Sequence, residues 1–154
     1  MHSGTPTAIM LALAALTGAC SSEDGGTSPS PLTIVGRWGQ GANLSESARE
    51  QTHIHTGYFT FVRRGDGFGG SGQQTGLCRA EGGDYAGPLA TGALYEITEG
   101  VEQGDRVSFK SDLCEYQGTL SADGAHIEGT ARCAYTQDGA GFVWTGAWLA
   151  NREP

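Results

Sequence analysis

Between Cys114 and Tyr135 the chain alternates apolar and polar residues so regularly that it fits an antiparallel hairpin and little else. Cys114, Tyr116, Gly118 and Leu120 alternate with Glu115, Gln117, Thr119 and Ser121; then Ala125, Ile127, Gly129, Ala131, Cys133 and Tyr135 alternate with His126, Glu128, Thr130 and Arg132. A period of two is that of a strand with one buried face. Asp123 and Gly124 supply the turn. A two-residue turn there sets Ala122 opposite Ala125, Leu120 by Ile127 and Cys114 by Cys133. A three-residue turn with a glycine bulge would slip the pairing by one. Without a compensating bulge, that slip puts an apolar face beside a polar one, so face parity favours the two-residue turn.

The same parity organises the neighbouring segments. Asp138 and Gly139 turn the chain so that Phe142, Trp144, Gly146, Trp148 and Ala150 share a face, with Trp148 opposite Gly129. Large rings set against small partners fill a narrow interior without overpacking. Upstream, a turn at Ser111 and Asp112 brings Phe109 beside Cys114 and Val107 beside Tyr116. Alternation and turn residues predict strands over 33–38, 54–64, 68–75, 93–99, 106–110, 113–121, 125–135 and 142–150. One helix is expected over 44–51, with Asn43 as its cap. The 26 glycines fall at turns or inside alternating runs, as tight turns and curved strands require. Apolar strand faces with no covering helices leave a sandwich or a barrel. Consecutive hairpins favour the barrel, whose closure removes exposed edges. The expected fold is therefore all-β, an antiparallel up-and-down barrel of about eight strands.

What precedes the barrel reads as export and tether. An apolar run over 8–16 ends in Thr17, Gly18, Ala19 and Cys20, too short for the roughly 20 apolar residues a membrane span needs. Small residues before a cysteine resemble the bacterial lipobox, which implies cleavage after residue 19 and diacylglycerol attachment to the Cys20 thiol. Ordinary secretion, with Cys20 left in a discarded stretch, is the alternative; both place the domain outside the cytoplasm. Residues 21–31, rich in Ser, Gly, Pro and acidic groups, bury nothing and act as a flexible linker. The expected organisation is a signal peptide over 1–19, a lipid-anchored linker over 20–31 and a barrel domain over 32–152. The predicted location is the cell envelope, attached to a membrane by the lipid. Ser21 after the lipid cysteine resembles outer-membrane sorting rather than inner-membrane retention.

Gly36, Arg37 and Trp38 on the first strand form a Gly-x-Trp that resembles the start of lipocalins and avidin-like calycins. The resemblance implies a barrel closed at one end by Trp38. Size, anchoring and a hairpin disulfide are also similar to small barrel lipoproteins that inhibit lysozymes or proteases.

If Cys20 carries lipid, three cysteines remain. Opposed positions on adjacent strands lie within disulfide reach, so Cys114 with Cys133 is the favoured pair, and Cys78 with either is the alternative. No Cys-x-x-Cys spacing suggests zinc. His53 and His55 flank Ile54 and point the same way on an extended strand, where they could chelate a metal. No third ligand is evident nearby, and a solvated strand face accounts for them as well. No metal and no cofactor is expected. Ser71, in Gly-Gly-Ser-Gly, lacks the strand-to-helix setting of a nucleophile elbow. Glu115 and Glu128 project outward from neighbouring strands, and His126 sits on a polar face, so no catalytic constellation emerges and an enzyme is not expected.

Nine basic residues face seventeen acidic ones, for a formal charge of −8, which argues against nucleic acid as a partner. Beyond the membrane reached through the lipid anchor, the expected role is a non-catalytic binding module. Its candidate ligand is small and apolar, held in the barrel mouth by Trp38, Phe59, Phe61, Tyr95, Phe109, Tyr116 and Trp144. These rings could instead simply fill a closed core. An inhibitor that reads an extracellular hydrolase through loops such as 79–89, and a structural envelope lipoprotein, are the alternatives.

Overall fold

The computed structural model describes residues 33–83 and 85–154; the signal peptide and linker expected from the sequence, and Cys20, lie outside them. Ten strands follow in chain order: β1 (Gly36–Glu46), β2 (Gln51–Arg64), β3 (Gly67–Gln74), β4 (Arg79–Glu81), β5 (Gly87–Pro88), β6 (Leu94–Gln103), β7 (Arg106–Ser111), β8 (Cys114–Leu120), β9 (His126–Gln137) and β10 (Ala140–Arg152). Eight of them run β1-β10-β9-β8-β7-β6-β3-β2 and close by pairing β2 with β1, all antiparallel. The result is a closed eight-stranded barrel, consistent with a calycin-like fold. The two short strands β4 and β5 form a flap that continues the sheet beside the first residues of β2, where Thr52, His53 and Ile54 pair with Glu81, Ala80 and Arg79.

Antiparallel order sorts the connections into two ends. The β1–β2, β7–β8 and β9–β10 turns and the flap form the loop end. The other end, named the tether end for the linker expected before residue 33, gathers the β2–β3, β6–β7 and β8–β9 turns, the start of β1 and the end of β10.

The registers predicted by parity form for the last two hairpins. Leu120 pairs with Ile127 and Cys114 with Cys133, while Trp148 pairs with Gly129. Cys114 and Cys133 are disulfide-bonded, and Cys78 is a buried free thiol. The β7–β8 hairpin differs from expectation. Phe109 pairs with Tyr116 and Val107 with Gly118, because Asp112 and Leu113, not Ser111 and Asp112, occupy the turn. A two-residue shift keeps every side chain on its face, so parity could not tell the two registers apart.

The helix expected over 44–51 does not form. Leu44 and Glu46 are buried while Ser45 is exposed, a strand alternation that extends β1 to Glu46, and Gln51 already begins β2. Pairing β1 to both β2 and β10 along this stretch outweighs a weak local helix preference.

Rings fill the interior. Trp38, Phe59, Phe61, Phe109, Trp144 and Trp148 are each at most 2% exposed. At the tether end the Trp38 indole donates to the Ile34 carbonyl at 2.8 Å, and the Arg152 guanidinium lies 4.5 Å from the Trp38 ring centre. Arg152 also donates to the carbonyls of Thr33, Val35 and Gly124, which binds the first and last strands and the β8–β9 turn around the buried ring.

Candidate functional site

The residues proposed to line an apolar ligand mostly touch one another. Phe59 lies 5.5 Å from Phe61, 6.5 Å from Tyr95, 5.2 Å from Phe109 and 5.5 Å from Tyr116, centre to centre. All of these contacts except Phe59–Phe61 are edge-on, an arrangement rings favour when they pack as a core. Trp38 is the register partner of Phe59 on β1, and Trp144 stands apart, toward the loop end. Burial raises the Tyr95 phenol well above its usual range and pushes Tyr116 up to about 12. Both rings are neutral members of the core. The larger depressions lie outside the barrel, notably a groove of about 900 Å³ over β6 to β8 that includes Arg64, Glu99, Lys110 and Glu115.

The loop end of the interior is of different chemistry. Glu46 and Gln51 are buried there, and His53 and His55 point inward. This corrects the solvated face expected for the two histidines. They share parity with Phe59 and Phe61 on β2, so whatever turns those rings inward turns the imidazoles inward too. His53 stacks on Trp144 with ring centres 3.5 Å apart, and its Nε2 lies 3.1 Å from Gln51 Oε1. Its imidazole is pushed down to about 4 by burial, helped by the nearby His55 and Arg49. Burial also lowers His55, against the raising effect of a hydrogen bond that its imidazole donates to the Gln74 side chain. Both are therefore neutral at pH 7. His55 Nδ1 and Trp144 Nε1 are buried without a hydrogen-bond partner. Among the described residues, no group of three or more His, Cys, Asp or Glu side chains is placed to hold a metal ion.

Above this layer sits a cation in an aromatic setting. The Arg49 guanidinium lies 3.6 Å over the Phe142 ring, with Trp144 and Tyr135 at 5.3 and 5.8 Å. It donates to the Tyr135 hydroxyl at 2.7 Å and to Glu46 Oε2 at 3.1 Å. Burial alone would raise the Glu46 carboxyl. The Ala48 and Arg49 amides, at 2.8 and 2.9 Å, and the guanidinium outweigh it and hold the group below its ordinary value. Gln51 Nε2 ties the flap down by donating to the Tyr85 carbonyl at 2.8 Å. Around this end Leu77, Tyr85, Leu94 and Leu113 are each at least half exposed.

Sequence reasoning found Trp144 but missed Glu46, Arg49 and Gln51, since all three were assigned to a helix. Of the other polar groups considered, Ser71 lies within β3, paired to Thr60 and Glu96, and Glu115, Glu128 and His126 are exposed. Cys20 lies outside the described residues. No protein-family model matches the chain, and comparison with curated proteins finds no similar sequence.

Proposed function

We propose that the chain is a cell-envelope lipoprotein, anchored through Cys20, whose barrel is a non-catalytic recognition module that binds its partner at the loop end. The observation that carries this reading is the division of the barrel. The apolar rings that would surround a ligand pack against each other, while buried polar groups and the four large apolar side chains that are at least half exposed among the described residues, Leu77, Tyr85, Leu94 and Leu113, lie toward one rim.

The place where the domain begins supports the same orientation. Glu102 accepts hydrogen bonds from the amides of Thr33 and Ile34 at 3.0 Å, fixing the first residues to the tether end. Cys20 lies thirteen residues before Thr33, a reach of at most ~45 Å when extended. A membrane anchor at Cys20 therefore leaves the opposite, loop end free. Exposed Leu77, Tyr85, Leu94 and Leu113 suit contact with another protein better than solvent alone. Inhibition of an extracellular hydrolase is one form of this reading, favoured by Tyr85, which stands half exposed on the flap.

Photo-crosslinking side chains placed at Leu113 and Tyr85, and for contrast at Val35, test it in membrane-anchored protein. Discrete crosslinked species from the first two positions and none from Val35 are expected. Crosslinks only from Val35, or none from any position, would overturn the reading.

A further inference from the structure

We propose that Tyr135, Phe142, Trp144 and Glu46 form a recognition site for a guanidinium or alkylammonium group, which Arg49 fills in the unbound protein and an arginine of a basic partner displaces. The inference rests on the loop end being the recognition surface and names what that surface reads.

The chemistry is that of a cation site. Aromatic faces attract a cation through their quadrupoles, and a carboxylate with fixed geometry adds a charge-assisted hydrogen bond. Both are present around Arg49, with Phe142 beneath the guanidinium at 3.6 Å and Glu46, only 5% exposed, at 3.1 Å from Nε. The walls belong to the barrel. Tyr135 and Phe142 are register partners on β9 and β10 with ring centres 5.5 Å apart. Trp144 is held between Tyr135, stacked at 6.4 Å, and His53.

The occupant belongs to a weaker element. Arg49 sits in the turn 47–50, whose one backbone–backbone bond, Glu50 amide to Ser47 carbonyl, is long at 3.4 Å, while its Ala48 and Arg49 amides are held by the Glu46 carboxylate. Glu50 there adopts a φ of 52°, the left-handed region that costs a non-glycine residue energy. A rigid cage filled by a side chain from a strained turn is built for exchange. A tethered group competes at an effective concentration on the order of millimolar. A lone cation therefore displaces Arg49 poorly, whereas a partner that adds other contacts succeeds. Those contacts are at hand. Glu50, Asp112 and Asp138, one on each of three loop-end turns, are exposed and form no ion pair among the described residues. They favour the approach of a basic surface and repel an acidic one.

A tri-arginine peptide is the probe, titrated by calorimetry into the full chain in detergent at fixed ionic strength. Arg49→Ala is expected to bind it about tenfold more tightly than the native chain, and Phe142→Ala added to that background should abolish the gain. Arg63→Ala removes the same charge at the tether end, so affinity in Arg49→Ala no higher than in Arg63→Ala overturns the proposal. A second measurement needs no substitution. In the native chain the Arg49 Nε–H resonance, shifted by the Phe142 ring, should move toward an unshifted position as peptide saturates. An Arg49 signal that stays in place at saturation, or no binding of the peptide, also overturns it. If these fail while Leu113 and Tyr85 still crosslink, the loop-end reading survives and only the cation site falls. If the cage binds arginine but crosslinks come only from Val35, the reverse holds.

Discussion

Gly129 on β9 faces Trp148 on β10 across the barrel wall, and the indole reaches over to β8, where its Nε1 donates to the Gln117 carbonyl at 3.0 Å. The room for the ring comes from Gly118, the partner of Gly129 on β8, where a Cβ would lie 3.0 Å from Trp148 Cζ2; Gly129 itself lets the two backbones approach. A Cβ on Gly129 would meet the Gln117 carbonyl oxygen at 1.9 Å and Gly118 Cα at 2.6 Å. Both obstacles are backbone, so neither can swing aside. Gly129→Ala is therefore expected to cost roughly 1–3 kcal/mol, the usual range for overpacking. Gly141→Ala, where nothing lies within 4 Å, should change stability by no more than about 0.5 kcal/mol. Urea unfolding of the two variants checks the contrast.

The Cys114–Cys133 bond joins residues 19 apart in sequence, so it closes a short loop already held by strand pairing. Chain-entropy reasoning assigns such a link about 3 kcal/mol. Reduction, or paired replacement by serine, should lower the urea midpoint by that order and leave the far-ultraviolet spectrum of the folded barrel unchanged. Peptide mapping should recover Cys114 joined to Cys133. Cys78, only 5% exposed, should alkylate only after unfolding.

His53 makes stability depend on pH in a definite direction. Its folded pKa is about 4, against an ordinary value of 6.5. Between these values the unfolded chain binds a proton that the folded chain does not. Stability is thus full above pH 6.5 and falls as pH drops toward 4, below which both states are protonated. With a discount for partial exposure, the loss is about 2 kcal/mol. His53→Gln should flatten the curve in this window. The carboxyl of Glu46, held below its ordinary value, loses its contribution only at lower pH. Thermal unfolding from pH 7 to pH 4 in both proteins separates the two effects.

Much of this architecture was legible in sequence because parity survives small errors. The segment from Cys114 to Ala150 announces its faces residue by residue; the two-residue turn at Asp138 and Gly139 forms as expected, whereas the β8–β9 turn closes over 122–125, with the Gly124 amide on the Ser121 carbonyl, and keeps the same register. Parity also carried information that went unused, since His53 and His55 stand in step with Phe59. The rest was hidden for physical reasons. Glu46, Arg49 and Gln51 are polar, so hydropathy assigns them to solvent. Arg49 is half-buried against Tyr135 and Phe142 of β9 and β10, and Gln51 is buried with its amide on the flap, so their partners lie far away in sequence. The flap itself is built from three- and two-residue strands, too short for any alternation to register.

The claim on which the functional account turns is that the barrel interior is filled, leaving recognition to the loop end. It is tested most directly by titrating the full chain in detergent with a fluorescent fatty acid and following energy transfer from its tryptophans. The account predicts no saturable signal above that of detergent alone, because Phe59, Phe61, Phe109, Tyr116 and Trp148 occupy the space an acyl chain would need. A saturable one-to-one signal that disappears when Phe59 is replaced by aspartate in a variant that still folds would contradict it.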